Sequence, residues 1–481
     1  MTFYSDTYHK ILRIQRRWLW NQLKFPLLPG KYKNTPAIRK YMFSRATGPD
    51  PVVCHAPYRS VYFGFNGNVQ PCCFNREHLY GKYPEKSVSE ILESPNRKKL
   101  QHALQNQDFT YGCKHCYNQI KTGNYEGAEA RLYDGLKSNE KWYPSEMIFE
   151  LDNTCNLECI MCEGRFSSAI LKNREHKPYK PGPYNEKLVE QLKPYLSKLE
   201  VAKFMGGEPF LINIHYKIWD AILETNPRCV INLQTNGTVF NDKIANLLKR
   251  GHFQIGVSID SLQKDKFETI RKNAVFEKVL DNLEKFIAAG KKSGHHINIS
   301  TCPMQQNRYE IPDILRFCND KNVFVYFNTV YTDGFDLREL SCKELEELVL
   351  YYRKSINTLP TSNYLQRRNL KFLKSLTSQI HTWWQEKKAE HDKRLKTKTI
   401  TRNDLHALLS GKLNDNPNAQ DKLVTIINTL PETLLISDHQ LNHLNNIKDD
   451  EFIWEMENND IKTLRYIIEY FFENQTFPDM Q

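Results

Sequence analysis

The 481-residue chain has no apolar run near the ~20 residues that a bilayer-crossing helix needs, which excludes an integral helical membrane protein. Its opening stretch, Met1 to Lys10, lacks the apolar core of a secretory signal, so a cytoplasmic location is expected. Internal repeats and long low-complexity tracts are missing too. Charged residues make up only 26% and hydrophobic ones 40%. That balance excludes a disordered tail, a collagen or a coiled coil, and it leaves enough apolar surface for two or three domains of ~150 residues each. Cysteine is absent from the last 139 residues, after Cys342, yet eight of the twelve cysteines lie between residues 54 and 162. Disulfide scaffolds are short, and in a reducing compartment closely spaced cysteines serve first as metal ligands. The unevenness therefore points to local metal sites. The net charge of +11, from 67 Lys+Arg against 56 Asp+Glu, is spread out, and no stretch is as basic as a nucleic-acid-binding arm. It reads as a solvated basic surface with no nucleic-acid partner expected, open to an acidic partner such as a flavodoxin.

The patterning divides the chain into four regions. Residues 1–50 are basic and aromatic, and Tyr8 to Leu23 carries Ile11, Leu12, Ile14, Trp18, Leu19 and Leu23 at helical spacing, which predicts a surface helix. Residues 51–140 form a small cysteine-rich α+β module. It has a strand at Val61–Phe65, a hairpin turn at Asn66-Gly67-Asn68, and a helix over Ser87–Leu104 interrupted near Pro95. Residues 145–335 alternate strands and helices, with strands expected at Met147–Leu151, Val201–Met205, Val230–Thr235, Gln254–Ile259, Ile297–Thr301 and Val323–Asn328. The fold class is therefore α/β, a partial (β/α)6 barrel of parallel strands with right-handed crossovers. Active residues should gather at the C-terminal strand ends. Residues 340–481 read as an almost wholly helical C-terminal region.

Directly after the first barrel strand, Cys155, Cys159 and Cys162 fall in a C-x3-C-x2-C spacing. Three thiolates on one tight loop can wrap one face of an iron–sulfur cube. A 4Fe–4S cluster ordinarily takes four cysteines, so one iron keeps an open position for a small chelating ligand. The loop resembles that of the radical S-adenosylmethionine enzymes. The resemblance implies that S-adenosylmethionine chelates the open iron through its amino and carboxylate groups. Electron transfer from the cluster would then cleave the sulfonium to a 5′-deoxyadenosyl radical, which takes a hydrogen from the substrate. Three further strand ends follow in the family's order. Gly206-Gly207-Glu208-Pro209 resembles the GGEP motif, implied to hold the methionine ammonium: two glycines allow close backbone approach, and a carboxylate suits a cation. Gln234 and Asn236, then Ser258 and Asp260, stand where relatives contact the ribose or the methionine carboxylate. Met161 precedes the third cysteine, a position often aromatic in the family and packed near the adenine; as an adaptable apolar side chain it keeps that packing role.

The earlier cysteines form a second pattern, with Cys54 and Cys72 flanking the hairpin and Cys113-x2-Cys116 after the helix. It is similar to the start of the SPASM and twitch extensions of the same enzymes, which carry auxiliary 4Fe–4S clusters. Those extensions usually follow the barrel, whereas this one precedes it. The likeness implies one fully ligated cluster on Cys54, Cys72, Cys113 and Cys116, with Cys73 as the alternate to Cys72. The C-x2-C pair by itself would equally suit a four-cysteine zinc site. Two 4Fe–4S clusters and S-adenosylmethionine are the expected cofactors. A saturated cluster implies redox work, supplying an electron or removing one from a substrate radical.

Cys302, after the fifth strand, stands where a thiol could give a hydrogen atom to a substrate radical, or serve as a small filler. The expected function is radical modification of a ribosomally made peptide, with an electron donor such as flavodoxin or ferredoxin. The alternatives are auxiliary-cluster dehydrogenation of an amino sugar or other small molecule, an RNA-modifying enzyme consistent with the positive charge, and a non-catalytic iron–sulfur protein. The GGEP-like and strand-end motifs speak against the last.

Overall fold

A computed structural model describes residues 36–474 except 49, 51, 140–142, 295, 396, 414–415, 438–439, 442–443, 446 and 448. The surface helix expected over Tyr8–Leu23 lies outside the described residues. The chain forms two compact units, Met1–Trp383 and Trp384–Gln481.

The first unit is built on one sheet: β1 (Ser60–Phe63), β2 (Asn68–Gln70), β3 (Gly81–Lys82), β4 (Glu146–Phe149), β5 (Val201–Phe204), β6 (Val230–Thr235), β7 (His252–Ser258), β8 (His296–Thr301) and β9 (Phe324–Phe327). Their order in space is β3-β2-β1-β4-β5-β6-β7-β8-β9. β4 to β9 are the six parallel strands of the partial barrel. The cysteine-rich module is continuous with them. Its β1 pairs in parallel with β4, Ser60 opposite Glu146 and Phe63 opposite Phe149, and adds a seventh parallel strand. β2 and β3 extend the sheet antiparallel. The expected Ser87–Leu104 helix is two helices, Val88–Leu92 and Pro95–Gln105, because Ser94 caps a new start and Pro95 fits only a first turn. This unit continues to Trp383, so the helix Cys342–Thr358 and the first part of Tyr364–Leu395 belong with the barrel and not with a region starting at 340.

The sheet has two chemically distinct faces. On one, Phe63, Phe149 and Phe204 stack at 5.6 and 4.9 Å between centroids, and Phe204 meets Trp219 of the helix Asn213–Thr225 at 5.3 Å. These rings are fully buried, and each such Phe contributes roughly 1.5–3 kcal/mol. On the other face, Lys203, Asn232 and Gln254 lie side by side in register, and Asn232 Nδ2 donates to Gln254 Oε1 at 3.2 Å. Gln234 Nε2 donates to Ser258 Oγ (2.7 Å), and Ser300 Oγ donates to Gln234 Oε1 (2.9 Å). Gly256 makes room for this belt, since a Cβ there would stand 2.4 Å from Gln234 Oε1. Helices cover the apolar face, so the polar face is the barrel interior.

The second unit is not wholly helical. β10 (Thr397–Thr401) and β11 (Thr433–Ser437) pair antiparallel, with Thr397 opposite Ser437. Helices Arg402–Ser410, Pro417–Ile427, Asp449–Asn458 and Ile461–Asn474 accompany them, and Leu405, Leu409, Leu423, Ile426 and Ile436 form part of the core. The strands are short, and each is followed by helix-forming sequence. Their pairing is non-local, so the local pattern does not expose it. Among the described residues, no helix is long and apolar enough to cross a membrane.

Candidate active site

The loop after β4 carries Cys155, Cys159 and Cys162 at the C-terminal end of the strand. Asp152 shapes its start: Oδ1 accepts Thr154 N (2.8 Å) and Thr154 Oγ1 (2.7 Å), and Oδ2 accepts Tyr179 OH (2.7 Å). Asn153 Nδ2 closes the base on Gly164 O (2.9 Å), and Ser167 Oγ donates to Leu157 O (2.6 Å). Several donors point at sulfur: Leu157 N at Cys155 Sγ (3.5 Å), Asn236 Nδ2 at the same sulfur (3.9 Å), and Arg271 Nη1 at Cys159 Sγ (3.8 Å). Such donors suit thiolates that hold a cluster. Burial pushes the Cys155 thiol up to about 11 and the Cys162 thiol up to about 12, so taking up metal must displace protons from this loop.

The other motifs meet this loop. Gly206 and Gly207 have φ of +81° and +50°, and a Cβ on Gly207 would lie 2.2 Å from Thr154 O. Glu208 N donates to the same oxygen at 2.7 Å, pinning the turn to the cysteine loop. The Glu208 carboxylate is fully buried. Oε1 accepts Thr235 Oγ1 (2.8 Å) and Phe210 N (3.2 Å), and Oε2 accepts Asn236 N (2.7 Å). Burial pushes its carboxyl up to about 7. Glu208 thus positions Asn236, whose side chain donates to Asn156 Oδ1 at 2.9 Å. Pro209 opens the short helix Pro209–Leu211 behind it.

Asp260 is fully buried, accepts Cys302 N at 2.7 Å and pairs with Arg271 at 2.8 Å. It therefore reaches the cysteine loop through Arg271. Met161 and Cys302 both pack against the buried cluster of Ile270, Met304 and Val330. Gln234 and Ser258 bond each other on the interior wall.

The module builds a second thiol site. Cys54, Cys72, Cys113 and Cys116 line one cavity together with Asn75 and Glu129. Ala56 N points at Cys54 Sγ (3.4 Å) and Asn75 Nδ2 at Cys113 Sγ (3.5 Å). Among the described residues, no three Cys, His, Asp or Glu side chains converge on a single ion's position, so the four thiols border a space and not a point. Cys73 is not part of this lining; it packs against Tyr62 and Ile148 in the barrel. The donor set of each site fits an iron–sulfur cluster, with three thiols at one and four at the other.

Sequence reasoning did not find Arg271, Asn156, Asn75, Glu129 or Lys203. Lys203 left a signal, a cation in the middle of the strand Val201–Phe204. Arg271 left none, because its partner Cys159 lies 112 residues away.

Comparison with known proteins agrees with this geometry. Residues 149–318 match the Radical SAM superfamily, and residues 54–117 match the SPASM iron-sulfur cluster-binding domain. The chain thus carries a region that matches the Radical SAM superfamily, preceded by one that matches the SPASM domain. The two matched domains imply 4Fe–4S clusters and S-adenosylmethionine as cofactors. The chain is 25% identical over 234 residues to GTP 3′,8-cyclase of Clostridium botulinum (strain Hall), covering 46% of this chain and 71% of the relative. It is 29% identical over 150 residues to the cysteine-type anaerobic sulfatase-maturating enzyme of Clostridium novyi, covering 29% and 39%. Among solved structures, native anSMEcpe with bound AdoMet aligns with a TM-score of 0.35 and 21% identity over 44% of this chain and 62% of that one. SuiB of Streptococcus suis bound to its precursor peptide SuiA aligns with a TM-score of 0.34 and 16% identity over 54% and 52%.

Proposed function

We propose that the chain cleaves S-adenosylmethionine reductively at Cys155, Cys159 and Cys162 and modifies a peptide, assisted by an auxiliary 4Fe–4S cluster on Cys54, Cys72, Cys113 and Cys116. The observation that carries this reading is the convergence of the cysteine loop, the Gly206-Gly207 turn and Asn236 at the C-terminal ends of β4 to β6, over a polar interior. When bound, the cluster and S-adenosylmethionine supply a 5′-deoxyadenosyl radical, with electrons from a donor such as flavodoxin or ferredoxin. The protein's residues do the positioning. Gly206, Gly207 and Asn236 shape the methionine side of the site, and Arg271 brings positive charge to Cys159. Met161, Ile270, Met304 and Val330 form an apolar wall that excludes water. Asn232, Gln254 and Asn298 offer polar contacts to substrate.

A peptide substrate is favoured by the pairing of barrel and auxiliary domain and by the likeness to a sulfatase-maturating enzyme. A second reading, a small-molecule substrate, draws on the longer match to the GTP cyclases. It is weakened for a polyanion, because Arg76, Lys203 and Arg271 are already paired with Glu150, Glu129 and Asp260. The test is mass spectrometry of peptides encoded beside the gene after anaerobic incubation with enzyme, S-adenosylmethionine and reductant. A mass change in one peptide, matched by 5′-deoxyadenosine, is expected. Unchanged peptides alongside a converted amino sugar or nucleotide would replace the first reading with the second.

Cys302 would return a hydrogen atom to the substrate radical, the resulting thiyl being restored by an electron from the external donor and a proton from solvent. It packs against the same buried cluster as Met161, and burial keeps its thiol protonated. In deuterated water the wild type should place deuterium on the product carbon, because S–H exchanges with solvent. Cys302→Ala should still cleave S-adenosylmethionine but yield no deuterated product. Deuterated product from the variant at the wild-type rate would remove Cys302 from the mechanism.

A further inference from the structure

The auxiliary cavity includes a carboxylate as well as its thiols. Glu129 lines it, in the short helix Glu129–Asp134, and its side chain is 13% exposed. Across from it, Lys203 Nζ reaches Glu129 Oε1 at 2.9 Å from the interior face of β5. Cys73 Sγ lies 4.0 Å from the same oxygen and adjoins Cys72 in sequence. The pair is not needed to join the module to the barrel, since β1 already pairs with β4 along its whole length. It costs desolvation at both ends. The ion pair with Lys203 places a carboxylate on the cavity wall and its counter-charge on the barrel side. Glu146, the other acid facing Lys203, instead hydrogen-bonds Ser60 Oγ at 3.0 Å and lies outside the cavity lining.

We propose that the half-buried Glu129–Lys203 pair sets the reduction potential of the auxiliary cluster, Glu129 lowering it and Lys203 limiting that effect from the barrel side. This rests on the reading that Cys54, Cys72, Cys113 and Cys116 hold a 4Fe–4S cluster. Reduction adds one negative charge to such a cluster, and its potential follows the net charge and the hydrogen bonds around it. In a poorly screened interior, a fixed carboxylate at the cavity wall opposes that added charge far more than one in water would. A lysine that pairs with the carboxylate offsets part of the opposition. Glu129 and Lys203 are therefore positioning residues, acting through the cluster and not on the substrate.

The test uses the full chain in a Cys155/Cys159/Cys162→Ala background, so that only the auxiliary cluster remains. Iron is counted first, and the midpoint is then followed by EPR during an anaerobic redox titration. Glu129→Gln should keep about four irons, the content of one such cluster, and raise the midpoint. Glu129→Asp should hold it near the parent value. The Glu129→Gln/Lys203→Met double variant should bring it back toward the parent, because both charges are gone. A midpoint unchanged or lowered in iron-loaded Glu129→Gln would overturn the proposal, as would iron loss in place of a shift in both the single and the double variant. A background protein that binds no iron would overturn the cluster reading itself and this inference with it, and the iron count distinguishes that outcome from the others.

Discussion

Cys72→Ala should strip the auxiliary site of its iron, and Cys73→Ala should leave it loaded. The two cysteines are neighbours in sequence, and both are buried. They lie in the bend that follows β2, and their side chains enter different surroundings. Cys72 enters the cavity shared with Cys54, Cys113 and Cys116, and Cys73 enters the apolar contact of Tyr62 and Ile148. Iron counting on reconstituted protein should therefore fall by about four in Cys72→Ala and stay level in Cys73→Ala, since one 4Fe–4S cluster is at stake. The same variant should keep the radical-SAM cluster and its reductive cleavage of S-adenosylmethionine, because the cysteine loop after β4 draws its support from Asp152, Asn153 and Ser167. Loss of iron in Cys73→Ala and not in Cys72→Ala would reverse the assignment.

Gly207→Ala should be nearly as damaging as removing a ligand of the cysteine loop. The added methyl meets backbone, Thr154 O at 2.2 Å and Thr154 C at 2.8 Å, and backbone cannot swing aside as a side chain would. The φ of +50° adds strain for any residue with a Cβ. Overpacking of this kind costs about 1–3 kcal/mol, which a barrel of this size survives. The functional effect should be larger, because relief must come from moving Thr154, the residue before Cys155. A shift near 1 Å in a positioned reactive group can cost on the order of 100-fold in rate. The measurement is 5′-deoxyadenosine formation under reductant, together with the thermal midpoint. A drop of roughly 100-fold with the fold retained is expected. Full activity would show that the turn is not pressed on the loop as the contacts indicate.

The parts of the site that were legible in the sequence are those whose residues are close together in the chain. Three cysteines within eight positions define a loop without any knowledge of the fold, and Gly206 to Pro209 define a turn. Strands β4 to β9 were legible because the crossover helices between them give each strand a clear boundary; β6 is Val230–Thr235 in both readings. What stayed hidden depends on register or on partners far along the chain. That β1 joins β4 follows from a pairing across residues 64–145, which no local pattern announces. The inward turn of the Glu208 carboxylate depends on Thr235 and Asn236 arriving beside it from β6. The role of Asp260 became clear only once Arg271 was placed between it and Cys159. No local pattern announces β10 and β11, because their pairing spans the two helices between them.

The most direct test of the central claim is the yield of 5′-deoxyadenosine from S-adenosylmethionine, under anaerobic reduction, by the wild type and the Cys155/Cys159/Cys162→Ala variant. The wild type, loaded with about eight irons, should form it, and the variant, retaining about four irons at the auxiliary site, should form none. Formation by the variant at the wild-type rate, or none by a fully loaded wild type, would contradict the assignment of reductive cleavage to the loop after β4.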